Sequence, residues 1–316
     1  MESIPTLEQI QQAHLRIRPF IHQTPVMSSE LINALAGCSI YFKCENFQKT
    51  GAFKMRGAHN AVLSLPSTKI SRGVATHSSG NHAQALAKAA ANMGCKAHIV
   101  MPESAPDVKV NAVKDYGAEI YFCASSQQDR EQTLKSVLKD TGATFIHPYD
   151  NYDIIAGQAT VALELIEEIP DLNILITPVG GGGLLSGTCL TSSYLLPEAV
   201  VIAGEPEGAD DAFRSLQLGI IHPSIDPKTI ADGLLTSLSE RTFGIIKKYV
   251  KDIITVSDPE ILAAMRLVWE RMKILIEPSA AVPMAAVLKK PEIFYGKRVG
   301  LILSGGNVDL EKINFV

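Results

Sequence analysis

The chain is 316 residues long, roughly twice the ~150 residues of a typical domain, so two compact units or one large α/β domain are expected. Apolar residues make up 46% and charged residues 20%, which excludes wholesale disorder. With 29 Lys plus Arg against 33 Asp plus Glu and no long basic tract, neither a nucleic acid nor an anionic membrane surface is an expected partner. The cysteines Cys38, Cys44, Cys95, Cys123 and Cys189 are scattered and form no CxxC pair. They suit reduced thiols in the cytoplasm better than a disulfide frame or a zinc site. Met1–Thr6 has neither a basic start nor an apolar core, so no secretory signal is expected.

Apolar spacing predicts a helix over Thr6–Phe20 and a short strand over Ile40–Cys44. Strands and helices then alternate: Gly73–His77, helix Asn81–Met93, strand Lys96–Met101, helix Val108–Tyr116, strand Glu119–Cys123, helix Asp129–Lys139, strand Thr144–His147. Gly94 and Gly117 stop two of these helices. A second series has helix Ala159–Ile169, strand Ile174–Val179, helix Leu184–Tyr194 and strand Val200–Gly204. It closes with helices Glu260–Met272 and Ala280–Lys289 and strand Arg298–Leu303. Such alternation predicts parallel sheets with helices on both faces. Leu172–Pro197 is charge-free and long enough to span a bilayer. Its Pro178, four successive glycines and several hydroxyl residues read instead as strand, loop and helix start.

Four segments could carry chemistry. Strand Ile174–Val179 runs into Gly180-Gly181-Gly182-Gly183 and then a helix. Bare backbone there lets several N–H groups turn toward one anion, and the helix N-terminus adds positive potential. A tight crossover would explain the turn, but four glycines carry a large entropic cost, which favours a phosphate cradle. A dinucleotide is the rival ligand: Gly181-x-Gly183-x-x-Ser186 nearly fits the dinucleotide fingerprint, with Glu205 placed for a ribose. In the second segment Lys54 stands between Phe53 and Met55, with Gly51 and Gly57 nearby. Desolvation of such a lysine lowers its pKa and makes it a Schiff-base nucleophile, although a surface helix start would look similar. The third segment, Thr76–Ala83, gathers hydroxyls, an amide and backbone N–H groups at a helix N-terminus, which suits a carboxylate. The fourth, Leu303–Asn307, taken alone is a plain turn.

Together these segments resemble the fold-type II pyridoxal-phosphate enzymes, in particular the serine racemase and threonine dehydratase group. The motifs occur in family order: Thr50–Gly57, Ser78–His82, Gly180–Gly183, Thr229–Gly233, Ile276–Ser279 and Ser304–Asn307. The resemblance implies an α/β fold like the tryptophan synthase β chain, two parallel-sheet domains with the cofactor between them. Residues 1–72 and 151–316 would form the large domain and 73–150 the small one. It also implies that Lys54 holds pyridoxal 5'-phosphate, beside Phe53, while Asn81 faces the ring hydroxyl. Gly180, Gly181, Gly182, Gly183 and Leu184 would take the phosphate, and Ser304 would face the ring nitrogen. Ser78, Ser79, Asn81 and His82 would grip the substrate carboxylate. Ala52 departs from the Ser usual in the family.

Ser79 discriminates within the group, because threonine dehydratases generally carry Ala there. A hydroxyl opposite Lys54 could return a proton to the α-carbon, so the resemblance implies serine racemization with L-serine ammonia-lyase activity. Arg130 and Thr236 match racemase positions near the substrate. His147-Pro-Tyr-Asp150 looks more like the hydroxyaspartate ammonia-lyases, which keeps threo-3-hydroxyaspartate and L-threonine lyase activity open as alternatives. Glu205, Ala209 and Asp211 resemble a divalent-cation loop, and oxygen ligands suit Mg²⁺, Ca²⁺ or Mn²⁺. Lys49, Thr50, Gln84, Lys109, Tyr116, Lys273 and Asn307 match nucleotide-contacting positions at a subunit interface, implying a homodimer and ATP as a candidate effector. The sequence stops soon after Asn307, so the regulatory domain of biosynthetic threonine dehydratases is not expected.

Overall fold

A computed structural model describes residues 3–313 and 315, Pro106 aside, and for Val108 and Lys312 the backbone alone. Its strands are β1 (Val26–Met27), β2 (Ser39–Cys44), β3 (Val74–His77), β4 (Ala97–Pro102), β5 (Glu119–Cys123), β6 (Thr144–Phe145), β7 (Ile174–Pro178), β8 (Val200–Pro206), β9 (Val250–Val256) and β10 (Arg298–Leu303). They form two sheets, a six-stranded one in the order β1-β2-β10-β7-β8-β9 and a four-stranded one in the order β5-β4-β3-β6. All neighbouring pairs are parallel except β1 with β2. The chain is therefore an α/β protein of two parallel sheets, and the smaller sheet draws only on residues between Val74 and Phe145.

Both sheets are covered on both faces, as parallel sheets require. In the large sheet Ile174, Ile176, Val299 and Leu301 face helices Asp258–Met272 and Pro278–Lys289. Leu175, Val201, Ala203 and Ile302 face helices Tyr152–Glu168 and Gly183–Leu195. The alternation along each strand is the two-residue period of the pleat. In the small sheet Val74, Ile99 and Met101 pack under helix Asn81–Asn92, and Ala75 and Val100 under helix Gln127–Thr141. The charge-free stretch from Leu172 becomes β7, the glycine turn and a helix. No helix among the described residues is long and apolar enough to cross a membrane.

Several boundaries differ from the sequence expectation. Helix Tyr152–Glu168 starts well before Ala159, because Asn151 caps it by accepting from the Asp153 and Ile154 N–H groups. Strand β6 stops at Phe145, before His147. Helix Lys54–Leu63 was legible only as a helix start. It is buried almost all round, so it has no polar stripe to give it a helical period. In β9 the register slips: Val201 pairs with Val250 and Ile202 with Asp252, leaving Lys251 as the extra residue of a bulge.

Helix Lys54–Leu63 crosses Tyr152–Glu168 at Gly57 and Gly157, where a Cβ on Gly157 would lie 2.6 Å from the Gly57 Cα. Next to this contact sits a buried ionic cluster. Arg56 donates to both Glu45 oxygens at 2.8 Å and to both Glu164 oxygens at 2.7 Å. Lys43 donates to Glu164 and to the Thr24 carbonyl, each at 2.7 Å. Two cations thus meet two carboxylates, and the net charge buried is zero. All five cysteines are free thiols. Burial pushes every one of them above the ordinary thiol range, Cys38 to about 11 and Cys44 to about 12.

Candidate active site

The site residues lie beyond the C-terminal ends of the strands, where ligands bind in open parallel sheets. After β10, Ser304–Gly306 turns back along Gly51–Phe53. The Phe53 N–H donates to the Ser304 carbonyl at 3.0 Å, the Gly306 N–H to the Gly51 carbonyl at 2.9 Å, and Ala52 bridges Gly305. This clip sets Lys54 in the first turn of its helix, next to Ser304. The Lys54 ammonium donates to the Pro148 carbonyl at 2.8 Å and lies 5.2 Å from the centre of the Phe53 ring. Burial pulls its pKa down to about 8, against the opposing pull of the Glu277 carboxylate.

After β7, Gly182 adopts φ 84°, the left-handed conformation that glycine tolerates best. A Cβ on Gly181 would lie 2.3 Å from the Tyr149 ring, and one on Gly180 would lie 2.9 Å from the Leu234 Cα. Thr229–Gly233 backs this turn, and the Gly233 N–H donates to Ser279 Oγ at 3.1 Å. Among the described residues, the backbone N–H groups from Gly180 to Leu185 donate to no acceptor. A row of unspent amides at a helix N-terminus is a site for a dianion.

Between β3 and helix Asn81–Asn92 lies the loop Ser78–Gly80. Ser78 Oγ accepts from the Gly80 N–H at 3.4 Å, and the Ser79 hydroxyl has no protein partner among the described residues. Asn81 Nδ2 donates to both oxygens of Glu277 at 3.0 and 3.1 Å, while Asn307 Nδ2 donates to Asn81 Oδ1 at 2.9 Å. Glu277 is buried, and desolvation raises its pKa to about 7. His82 Nε2 lies 3.2 Å from the Ile146 carbonyl, which requires the proton on Nε2 and leaves the buried Nδ1 as an acceptor without a partner. Burial holds His82 well below its ordinary pKa and takes His147 down to about 4, so both rings are neutral. His147 Nδ1 accepts from the Tyr149 and Asp150 N–H groups at 3.3 and 2.8 Å. That bond pattern fixes the turn that presents Pro148 to Lys54 and the Tyr149 ring to the glycines. Glu277, Tyr149 and His147 therefore belong to the site, although only their motifs, and no role, were legible in the sequence.

The remaining expected residues are placed less centrally. Thr236 faces the Tyr149 phenol, whose pKa burial pushes up to about 12. Arg130 donates to the Ser125 carbonyl at 3.1 Å rather than to the Ser78–His82 loop, and its buried Nε has no partner. Of the nucleotide set, Asn307 joins Thr50 by donating to its carbonyl at 2.7 Å. Lys109 pairs with Asp232, Tyr116 packs under Lys88, and Lys273 caps its own helix. Gln84 is buried in helix Asn81–Asn92, and the Lys49 N–H donates to Gln48.

Glu205, next to last in β8, is buried and accepts from the Ala212 and Phe213 N–H groups at 2.8 and 2.7 Å. Its oxygens face the chain, so it is not free for a ribose, and the dinucleotide alternative loses its acid. Ala209 and Asp211 are buried beside it. Among the described residues, neither Asp211 oxygen has a hydrogen-bond partner. Burial raises Glu205 to about 9 and Asp211 to about 6. Asp211, whose two oxygens are unengaged, with the Glu205 carboxylate desolvated beside it, offers the hard oxygen donors that suit a divalent cation.

A desolvated lysine, an anion cradle and a carboxylate-sized loop at the edge of two parallel sheets define a lysine-dependent α/β enzyme with a phosphorylated ligand. Residues 17–305 match the family model described as pyridoxal-phosphate dependent enzyme. The chain belongs to that family. It is 51% identical to a beta-hydroxyaspartate dehydratase of Paracoccus denitrificans, with 98% of each chain covered. It is 52% identical to the serine racemase of Dictyostelium discoideum, over 98% of this chain and 97% of that one. The crystal structure of that racemase superposes with a TM-score of 0.93, covering 96% of this chain and 99% of the other. The residues present suit a phosphorylated aldehyde: unspent amides at the glycine turn for an anion, a lysine amine that burial favours in its free form for a carbonyl, and the neutral Ser304 beside Lys54.

Proposed function

We propose that this enzyme racemizes serine and also removes ammonia from L-serine. The observation that carries the reading is the pair Lys54 and Ser79: an amine whose proton affinity burial has lowered, and a hydroxyl that no group among the described residues engages. Bound pyridoxal phosphate would supply a sink for the negative charge left when the substrate α-proton departs. Gly180–Leu184 would hold its phosphate, Phe53 and Asn81 would flank its ring, and Ser304 would face the ring nitrogen. The Lys54 amine would take the substrate α-proton on its own side. Ser79 returns a proton from the other side, which inverts the centre. If instead the β-hydroxyl takes up a proton and leaves as water, addition of a water to the enamine so formed would give a keto acid and ammonia. Ser78, Asn81 and His82 orient the carboxylate, with Arg130 and Thr236 at the margin of the substrate.

Support comes from the 52% identity to a serine racemase and from the hydroxyl at position 79. A second reading, threo-3-hydroxyaspartate ammonia-lyase, is favoured by the 51% identity to a beta-hydroxyaspartate dehydratase and by the His147–Asp150 turn against Lys54. Glu205, the Ala209 carbonyl and Asp211 would bind Mg²⁺, Ca²⁺ or Mn²⁺. The Thr50–Asn307–Asn81 chain of bonds is where ATP at a dimer interface would be felt. We assign the large domain to residues 1–72 and 151–316 and the small one to 73–150, and the five unpaired thiols suit a cytoplasmic enzyme.

The test is Ser79→Ala, read as the ratio of D-serine to pyruvate formed from L-serine. Loss of one acid–base group costs about 10²–10⁴-fold, so racemization collapses while elimination from the L-isomer largely survives. An unchanged ratio would make Ser79 only a carboxylate contact, since a lost contact weakens both reactions together through KM. Keto-acid release from threo-3-hydroxyaspartate far above that from L-serine would favour the second reading.

A further inference from the structure

Strand β9 is an edge of the large sheet, and its bulge inserts Lys251. In a regular strand Lys251 and Asp252 would point to opposite faces. A bulge re-aims side chains, and here both residues line one cavity of about 530 Å³. The cavity lies where β7, β8 and β9 begin, at the opposite end of the sheet from Lys54, the glycine turn and Ser304. Its inner wall is apolar and buried, with Ile174 4% and Ile202 2% exposed. Glu198 and Lys297 join Lys251 and Asp252 around it. None of these four charges forms an ion pair among the described residues, although Asp252 accepts from the Ile253 N–H at 2.8 Å.

We propose that this cavity is a second ligand site, for a free amino acid with a large apolar side chain. Two lysines alone would select an anion, and two carboxylates alone a cation. Both signs around an apolar wall match a zwitterion with an apolar body: lysine meets carboxylate, acid meets ammonium, and the strand starts take the side chain. A phosphate ester would meet Glu198 and Asp252 unfavourably. The volume lies within the ~300–1,000 Å³ of ordinary small-molecule sites. This reading does not depend on the reaction at Lys54.

The experiment is calorimetric titration of the holoenzyme after borohydride has fixed the cofactor to Lys54, so that no amino acid can exchange onto it. The probes are L-phenylalanine, 3-phenylpropionate and 2-phenylethylamine. Saturable binding of L-phenylalanine, at least tenfold tighter than either singly charged analogue, is expected. Lys251→Glu should weaken it tenfold or more, and Val200→Trp, which fills the cavity from its exposed rim, should abolish it. Absence of saturable binding overturns the proposal, as does equal binding of 3-phenylpropionate. So does binding that neither variant alters, which would place the ligand in the catalytic loop. A change of oligomeric state in Lys251→Glu, read by sedimentation, would make the cavity part of an interface and overturn it too.

Discussion

Lys54 is held by two opposing influences, burial that favours the free amine and Glu277 that favours the ammonium. The balance near pH 8 has a sign that can be checked. In cofactor-free protein, incorporation of pyridoxal phosphate needs the free amine, so its rate should rise with pH and level off above about 8. Glu277→Gln removes the charge that raises the lysine pKa, so the curve should move to lower pH. Absorbance of the bound cofactor measures both. Lys54→Ala should leave no cofactor attached after borohydride, as judged by intact mass. Glu277 is itself held by Asn81, so this residue joins the lysine to the loop expected to grip the substrate.

Among the elements, the glycine turn is the most exacting. Gly181→Ala would set a methyl 2.3 Å from the Tyr149 ring, and overpacking of this kind costs about 1–3 kcal/mol. Lower Tm and weaker cofactor binding are expected, and Tyr149→Ala in the same chain should recover part of both. The turn after β8 yields another outcome. Glu205 and Asp211 keep protons in the folded chain that the unfolded chain has already released. Without a cation, the contribution of these two groups to stability therefore falls as pH rises from about 5 to 8, against the opposite slope that the buried neutral His59, His82 and His147 give in the lower part of that range. Mg²⁺ or Ca²⁺ should reverse that fall, and Asp211→Asn should flatten both responses in thermal melts of EDTA-treated protein. The glycine turn was legible in the sequence because nothing but backbone chemistry explains four glycines. The Lys54 segment was legible only through its company, since a buried helix has no period. Strand β9 was missed because its bulge breaks the alternation at Lys251, and Glu277 because a buried acid shows no pattern until its partner, far along the chain, is known.

Across the whole molecule, the cluster of Arg56, Lys43, Glu45 and Glu164 ties the lysine helix to β2 and to helix Tyr152–Glu168. Removing one partner of a buried ion group leaves an uncompensated charge, at a cost of about 3–5 kcal/mol. Arg56→Met should lower the denaturation midpoint accordingly. Replacing Arg56, Lys43, Glu45 and Glu164 together by apolar residues of similar volume should cost much less, because no charge is then stranded. Chemical denaturation of the two variants separates these cases. The cluster spans segments more than a hundred residues apart in the chain, so its geometry was beyond any local reading.

The five thiols have a practical consequence. Each is held as the unreactive protonated form by burial, and only the thiolate attacks an electrophile. A cysteine introduced on an exposed surface would therefore react with a maleimide dye far faster than the native five, so fluorophores could be attached without first making a cysteine-free protein. One dye on helix Asn81–Asn92, at Asn92, and another just past helix Pro278–Lys289, at the exposed Lys290, would turn any approach of the two sheets on substrate binding into a change of energy transfer in solution.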